Sequence, residues 1–325
     1  MTWMVTGGAG YIGAHIVRSL QQQGHGVVVL DDLSTGEARK VPDGVPLVEA
    51  SVLDRAAVEK ALLEHAVTGV VHTAAKKAVG ESVERPLYYY RENVDGLLSL
   101  LEAMDDAGVK TMVYSSSAAT FGMPDVDRLT EEYHCRPVNP YGETKMVGEW
   151  LLNDVAVAQG LDWVSLRYFN VAGAATPELG DSGVFNLIPM VFRALSQGRN
   201  PQVFGDDYPT PDGSCIRDYI HVTDLADAHV AAVDLVEKKP AGTNVGAIFN
   251  VGRGEGVSVK EVIDAVREVT GQDFDVDVVG RRAGDPAQLV ASADKITAEL
   301  GWSARFDLAD MVSSAWTAWQ AHPPT

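Results

Sequence analysis

Short apolar runs alternate with longer amphipathic stretches through the first half of this chain. Trp3–Thr6, Gly26–Leu30, Pro46–Glu49, Gly69–His72, Lys110–Ser115 and Trp163–Arg167 are short, rich in valine or leucine, and bounded by glycine or polar residues. A strand covered on both faces reads this way, so each is predicted to be a buried parallel strand. Between them, Tyr11–Gln23, Arg55–His65, Pro86–Ala107 and Tyr141–Gln159 are helical in pattern and long enough to be right-handed crossovers. This order predicts an α/β chain built on a Rossmann-type doubly wound parallel sheet.

After Asn170 the alternation fails. A glycine- and proline-rich region, Gly173 to Gly213, is interrupted by one helical pattern at Leu187–Ser196, and the elements beyond it are mixed. We therefore expect a larger sheet domain over residues 1–170 and a smaller mixed C-terminal substrate lobe over 171–325. The chain is expected to re-enter the larger domain within 222–252, at Val222–Val236 and Ala247–Gly252. Open α/β folds hold ligands at the carboxyl ends of their strands, and the lobe is expected to close there.

Composition narrows the class of partner. The hydrophobic fraction is 46%, yet no segment approaches the ~18 uncharged apolar residues of a membrane helix, so no membrane partner is expected. Met1–Thr6 runs into glycines without a basic leader or a small-residue cleavage site, which predicts a cytoplasmic protein. Cys135 and Cys215 are too few for a disulfide scaffold and have no metal-ligand spacing, so no metal is expected. A net charge of −19 repels nucleic acid. A phosphate-bearing ligand must then be met by local arginines.

Gly7, Gly10 and Gly13 follow the first strand and open the first helix. Glycine there permits a tight turn and lets backbone amides approach a pyrophosphate at a helix N-terminus. A ligand-free strand-to-helix turn would show the same glycines. Asp31 decides between them, because it ends the second strand where a carboxylate can accept both ribose hydroxyls of a dinucleotide. With Asp32 it would repel a 2′-phosphate, and no arginine follows to receive one, so NAD is expected rather than NADP. Asp32 reads equally well as a loop cap.

Of the ten tyrosines, Tyr141 alone has a lysine four positions on, Lys145, at the start of a predicted helix. Both side chains emerge on one face. An ammonium beside a phenol lowers a pKa of about 10 toward neutrality and makes a proton acceptor for a sugar hydroxyl. Ser117, at the carboxyl edge of the fifth strand, is placed to share that proton; a capping turn is its plainer reading.

Together these residues resemble the extended short-chain dehydrogenase/reductase family. Further segments are similar to the branch that inverts C4 of nucleotide sugars: Lys77–Ser82, Ser115–Ala118, Asn139–Gly142, Leu166–Asn170, Phe204–Thr210 with Asp212-Gly213, and Ile216–Val222. The resemblance implies an NAD site that uses Tyr11, Ile12, Ser51, Val52, Thr73, Ala75, Lys77, Asn93, Ser115, Tyr141, Lys145 and Tyr168 besides the glycine turn and the aspartates. It implies Ser117, Tyr141 and Lys145 as the catalytic group, and UDP-glucose and UDP-galactose as substrates. Lys77, Asn170, Asn186, Leu187, Val203, Phe204, Arg217, Tyr219, Arg282, Asp285 and Leu289 would line the substrate site. Arg217 and Arg282 would take the diphosphate, Phe204 the uracil, Asp285 the uridine ribose, and Leu289 the side of the hexose 2-substituent, although an ordinary core leucine would read the same. A homodimer is also implied.

Two positions depart from the family pattern: Ser51 stands where an aspartate is usual and Ala75 where a glycine is usual, both on the cofactor side. Two other readings carry less. A nucleotide-sugar 4,6-dehydratase needs an acid directly after the active-site hydroxyl residue, and here Ala118-Ala119-Thr120 follows Ser117. A non-catalytic NAD-binding sensor would have no need of the Tyr141/Lys145 pair.

Overall fold

The structure is a computed structural model that describes residues 1–282 and 284–323. Ala283, which falls inside the arginine segment Arg281–Asp285, and the last two residues lie outside the described residues. The chain folds into two compact units. The first comprises Met1–Thr120, Pro137–Arg167 and Ala226–Phe249, and the second Phe121–Arg136, Tyr168–Leu225 and Asn250–Thr325.

The first unit carries the sheet. Its strands β1 (Thr2–Thr6), β2 (Gly26–Asp31), β3 (Leu47–Glu49), β4 (Gly69–His72), β5 (Thr111–Ser117) and β6 (Asp162–Tyr168) match the six apolar runs, with no end shifted by more than two residues. Strand β5 reaches Ser117 rather than stopping at Ser115. A strand at Gly246–Val251 completes seven, in the spatial order Gly246–Val251, β6, β5, β4, β1, β2, β3. The registers from β3 through β5 are all parallel. The order reverses at β1, the switch point where such sheets bind ligands.

Helices α1 (Tyr11–Gln22), α2 (Arg55–Glu64), α3 (Val79–Glu84), α4 (Pro86–Tyr90), α5 (Gly96–Asp106) and α6 (Pro140–Gln159) form the crossovers. The single helix expected over Pro86–Ala107 is instead α4, a π-helical turn at Arg91–Asp95, and α5. Such widened turns occur at functional positions, and this one carries Asn93. Helix α6 starts where its sequence predicts: Asn139 accepts a hydrogen bond from the Gly142 N–H at 2.9 Å, and Pro140 occupies the first turn. Met4, Leu30, Val70, Leu100, Met112 and Leu152 belong to one buried cluster under these helices.

The second unit holds β7 (Asn170–Ala172), β8 (Gln202–Phe204), β9 (Ile216–His221), β10 (the Gly246–Val251 strand, whose last two residues lie here), β11 (Gly256–Ser258), β12 (Asp277–Val279) and β13 (Gln288–Leu289). Strand β9 is central, paired with β7, β11 and β13. Around it, α7 (Leu187–Ser196), α9 (Val259–Thr270) and α11 (Leu308–Ala321) bury Phe192, Val262, Val266, Met311 and Trp319. Helix α8 (Val222–Glu237) begins in this unit and ends in the first, and α10 (Asp294–Leu300) precedes α11. The strip Phe121–Arg136 belongs to this unit because Leu129 donates to Val290 at 2.8 Å and accepts from Ser292 at 2.7 Å.

One buried ion pair ties α6 to β6. Arg167 donates through Nε and Nη2 to Glu149 at 2.9 and 2.6 Å, and the Ser116 and Ser165 hydroxyls donate to the same carboxylate. Both charged residues are 3% exposed. Arg167→Met is expected to leave that carboxylate buried without its partner and to cost ~3–5 kcal/mol. Urea denaturation of the variant against the native protein measures this, and a loss below about 1 kcal/mol would show the pair to be dispensable.

Candidate functional site

In the first unit, β1 turns into α1 through Gly7, whose φ is +71°. A Cβ on Gly13 would lie 2.1 Å from the Gly7 carbonyl oxygen. Helix α1 begins after Gly10 with no side-chain cap and no acidic residue in its first turn, and Tyr11 and Ile12 occupy that turn. Its leading N–H groups are the arrangement that receives a phosphate. The turn and the carboxylate beyond it fit a dinucleotide.

Asp31, buried at the end of β2, accepts from the Ala9 and Leu33 N–H groups, each at 2.9 Å. Burial pushes its pKa up, and those two bonds pull it back. A Cβ on Gly36 would lie 2.7 Å from this carboxylate. Asp32 is taken by its own loop, accepting the Ser34 N–H at 2.9 Å and hydroxyl at 2.7 Å. Burial alone would raise it, but the Ser34 bonds carry it below the usual carboxylate value. The loop-cap reading of Asp32 therefore describes its contacts.

The other cofactor-side residues follow the ends of β3 and β4. Ser51 accepts from Leu53 N–H at 3.2 Å, and Val52 packs against Gly96 on α5. Thr73 donates to the Thr6 carbonyl at 2.6 Å, Ala75 is half-buried, and Lys77 is exposed. Asn93 accepts from Lys76 N–H at 2.8 Å, and its amide donates at 3.0 Å to the Lys76 carbonyl and at 3.0 Å to the Thr144 hydroxyl. Its role is thus to fix the backbone at Lys76, a residue that no motif in the sequence marks.

Ser117 ends β5, and Tyr141 and Lys145 lie one turn apart on α6; all three are buried. The Ser117 hydroxyl accepts from the Ala119 N–H at 3.1 Å and lies close enough to the Tyr141 phenol to act on its pKa. Burial pushes the phenol above its usual value, and Ser117 partly offsets this. Lys145 donates to the Ser115 carbonyl at 2.7 Å and lies 5.0 Å over the Tyr114 ring. Burial pulls it down to about 7 against the charge of Glu149. The sequence expectation that Lys145 draws the phenol down is therefore outweighed here by burial. Ser115 shares a 3.0 Å hydrogen bond with His229. His72, which the sequence does not single out, stacks on Tyr114 with centroids 5.9 Å apart and bonds Thr6 Oγ1 at 2.8 Å. Burial and the Lys145 charge hold it at about 3, so it stays neutral.

The second unit contains a cavity of about 410 Å³, within the ordinary size of a small-molecule site. Asn170 and Tyr219, paired in register between β7 and β9, contribute to its wall, as do Asn186 and Leu187 at the start of α7. Phe204, Arg217, Arg282 and Asp285 also line it. Arg217 pairs with Asp285 and donates to the Ile216 carbonyl at 2.8 Å; the Arg282 guanidinium lies 3.7 Å over the Phe204 ring. Beside Arg217, the buried Asp218 carboxylate accepts from Arg253, Gly254 and Ala291 N–H groups and is raised by burial to about 6.

Of the residues expected to line the substrate site, Lys77, Val203 and Leu289 stand apart from this lining: Lys77 is exposed in the first unit, Val203 is buried, and Leu289 pairs with Arg217 across β13 and β9; Tyr168, expected at the cofactor, is half-buried at the end of β6. Arg193, Arg199 and Cys215 line the cavity without having been expected. The lining holds four arginines against one aspartate, so a chain of net charge −19 presents a locally cationic surface. Among the described residues, His25, Asp234 and Glu237 lie close enough to hold a metal. Glu237 already accepts from Trp3 at 2.7 Å, and Asp234 from Lys238 at 2.8 Å.

Comparison with known proteins places this geometry. The family model described as NAD dependent epimerase/dehydratase matches residues 3–252. The chain is 46% identical over 320 residues to a UDP-glucose 4-epimerase of Corynebacterium glutamicum, covering 97% of this chain and 95% of that one. A crystal structure of UDP-glucose 4-epimerase from Bifidobacterium longum, in complex with NAD+ and UDP, superposes with a TM-score of 0.92 at 37% identity, covering 100% and 99% of the two chains. The UDP-Glc/GlcNAc 4-epimerase of Campylobacter jejuni is 36% identical with a TM-score of 0.86, over 98% and 99%.

Burial of Lys145 has a consequence for stability. The folded lysine titrates at about 7, whereas an unfolded one keeps a value of about 10.4. From about pH 7 to about pH 9 the unfolded chain therefore binds more protons at this position, and stability rises with pH through that window. Lys145→Met is expected to flatten the rise. Denaturation midpoints of both proteins at the two pH values test this, and an equal rise in the variant would place its source elsewhere.

Proposed function

The chain belongs to the NAD dependent epimerase/dehydratase family, and on that premise we propose that it is an isomerase that interconverts UDP-galactose and UDP-glucose by inversion at C4. The observation that carries this reading is the buried group on the first unit, with Ser117 acting on the Tyr141 phenol and Lys145 one helical turn away. NAD+, when bound, supplies the acceptor and later the donor of a hydride at C4. Tyr141 takes the 4-hydroxyl proton, directly or through Ser117, as the C4–H bond breaks and a 4-keto sugar forms. After the sugar has turned, Tyr141 returns the proton to the oxygen at C4 and the configuration is inverted. Lys145, when protonated, favours the phenolate form of Tyr141.

The remaining residues hold rather than react. The glycine turn and the N-terminus of α1 suit the cofactor diphosphate, and Asp31 its ribose. In the second unit, Arg217 and Arg282 suit the diphosphate of the sugar nucleotide, Asp285 the uridine ribose and Phe204 the uracil. No acid follows Ser117, where the Thr120 hydroxyl instead donates to the Ser117 carbonyl at 2.8 Å, so the elimination chemistry of a dehydratase has no donor there. Helices α3, α4 and α6 expose Val83, Leu87, Trp150 and Val157, and this apolar surface supports a homodimer. No helix among the described residues is long and apolar enough to cross a membrane, and we place the enzyme in the cytoplasm.

Incubation with UDP-galactose is expected to yield UDP-glucose, and Tyr141→Phe to lower kcat at least ~100-fold while UDP binding stays nearly intact. A phenylalanine variant with native turnover would assign the proton transfer to another group. If Leu289 stands beside the hexose 2-substituent, its side chain disfavours an acetamido group by ~1–3 kcal/mol, roughly 5- to 150-fold in kcat/KM. Leu289→Ser is expected to raise kcat/KM for the N-acetylated pair, and no gain would remove Leu289 as the gate.

A further inference from the structure

We propose that Lys76 straps the dinucleotide into the first unit by bridging the loops that follow β2 and β4. Strand β1 lies between these two strands. With neighbouring strands about 4.8 Å apart, their ends flank the Gly7–Gly13 turn at a separation of about 10 Å. The Lys76 ammonium crosses that gap and donates to the Ser34 hydroxyl at 2.9 Å. Ser34 is itself fixed by its two bonds to Asp32, two residues along the loop that starts at Asp31.

The two ends of the bridge differ in freedom. The Lys76 backbone is clamped on both its N–H and its carbonyl by Asn93, which Thr144 holds in turn. The ammonium end lies in a partly exposed setting, 5.9 Å from the centroid of the Tyr88 ring. A fixed base with a releasable tip is what a strap requires: the groove opens when one exposed hydrogen bond is released, with no movement of the strand ends. The charge suits the contents as well. Lys76 draws both Asp31 and Asp32 down electrostatically, a small effect on Asp31 beside its burial, and a cation favours a neighbouring diphosphate.

The bridge also bears on Ser51 and Ala75, where the chain departs from the family pattern on the cofactor side. Lys76 adjoins Ala75, so the strap adds a cofactor-side contact beside one of these departures. A reaction that returns its cofactor to the starting state has no step that requires the dinucleotide to leave, so a strap across its exit costs nothing in turnover. This rests on the reading of the glycine turn and Asp31 as the cofactor site.

Exchange of bound NAD for isotopically labelled NAD, added in excess to the holoenzyme and followed by rapid filtration, tests the strap. Lys76→Met and Ser34→Ala are each expected to speed exchange about three- to tenfold, the worth of one partly exposed hydrogen bond to a charged group. Lys76→Arg, which can still reach the hydroxyl, is expected to keep exchange slow. Native-rate exchange in either Lys76→Met or Ser34→Ala, in proteins whose unfolding midpoints match the native one, overturns the strap while leaving the cofactor reading in place. A native protein that holds no dinucleotide when supplied with NAD overturns both.

Discussion

Where β1 turns into α1, a Cβ on Gly7 would stand 2.8 Å from the Ala74 nitrogen and one on Gly13 2.1 Å from the Gly7 carbonyl oxygen. These are backbone atoms of the two segments that the turn brings together, so no rotamer change relieves the overlap, and the first strand, the first helix and the end of β4 can meet only at glycine. That contact organises the first unit. It starts α1 without a side-chain cap just beyond β1, sets the Ala9 N–H on the Asp31 carboxylate at 2.9 Å, and lies between the strands β2 and β4 that flank β1. A larger residue at Gly13 would move the helix, and with it the leading N–H groups of α1 and the Ala9 contact to the Asp31 carboxylate.

Burial then governs the chemistry. The chain has 45 acidic residues against 26 basic ones, yet its buried charges have specific partners: Glu149 has Arg167 and two serines, Lys145 the Ser115 carbonyl, and Asp218 three backbone N–H groups. Desolvation shifts Tyr141 up and Lys145 down, each toward its neutral form. A phenol raised in this way becomes a proton acceptor only when a positive charge is brought near it. Glu149 supports the protonated form of Lys145, and the Arg167 pair keeps Glu149 in place, so a structural ion pair between α6 and β6 also bears on the charge of the lysine one turn away.

The sheet was legible because its strands are covered on both faces and read as unbroken apolar runs, and helix α6 because Asn139-Pro140 marks its start. The glycine turn, Asp31 and Ser117 were legible because each ends or follows an apolar run, and Tyr141 and Lys145 because they stand four apart at the start of a helical pattern. What the sequence concealed depends on contacts between distant segments. The π-helical turn at Arg91–Asp95 continues a helical periodicity, and only the Asn93 side chain, reaching back to Lys76, distinguishes it. Lys76 itself stood beside a more recognisable Lys77, which the structure leaves exposed. His72 looked like one more residue of a buried strand, and the membership of Phe121–Arg136 in the second unit is set by Leu129, whose backbone pairs with residues more than 150 positions away.

Inversion at C4 places opposite demands on the two ends of a sugar nucleotide. The same hydride acceptor and the same phenol must serve both faces of C4, so a hexose held firmly by many hydrogen bonds would present only one of them. Binding energy has to come from the part of the ligand that does not react. The second unit has the composition for this: its cavity sets four arginines and an aromatic face against one aspartate, groups matched to phosphates, a ribose and a base rather than to the neutral ring of hydroxyls on a hexose. Arg217 is held between Asp285 and the Ile216 carbonyl on a strand that Asp218 anchors through three N–H bonds; in the proposed reading a cation so fixed would hold the diphosphate while the sugar beyond it turns.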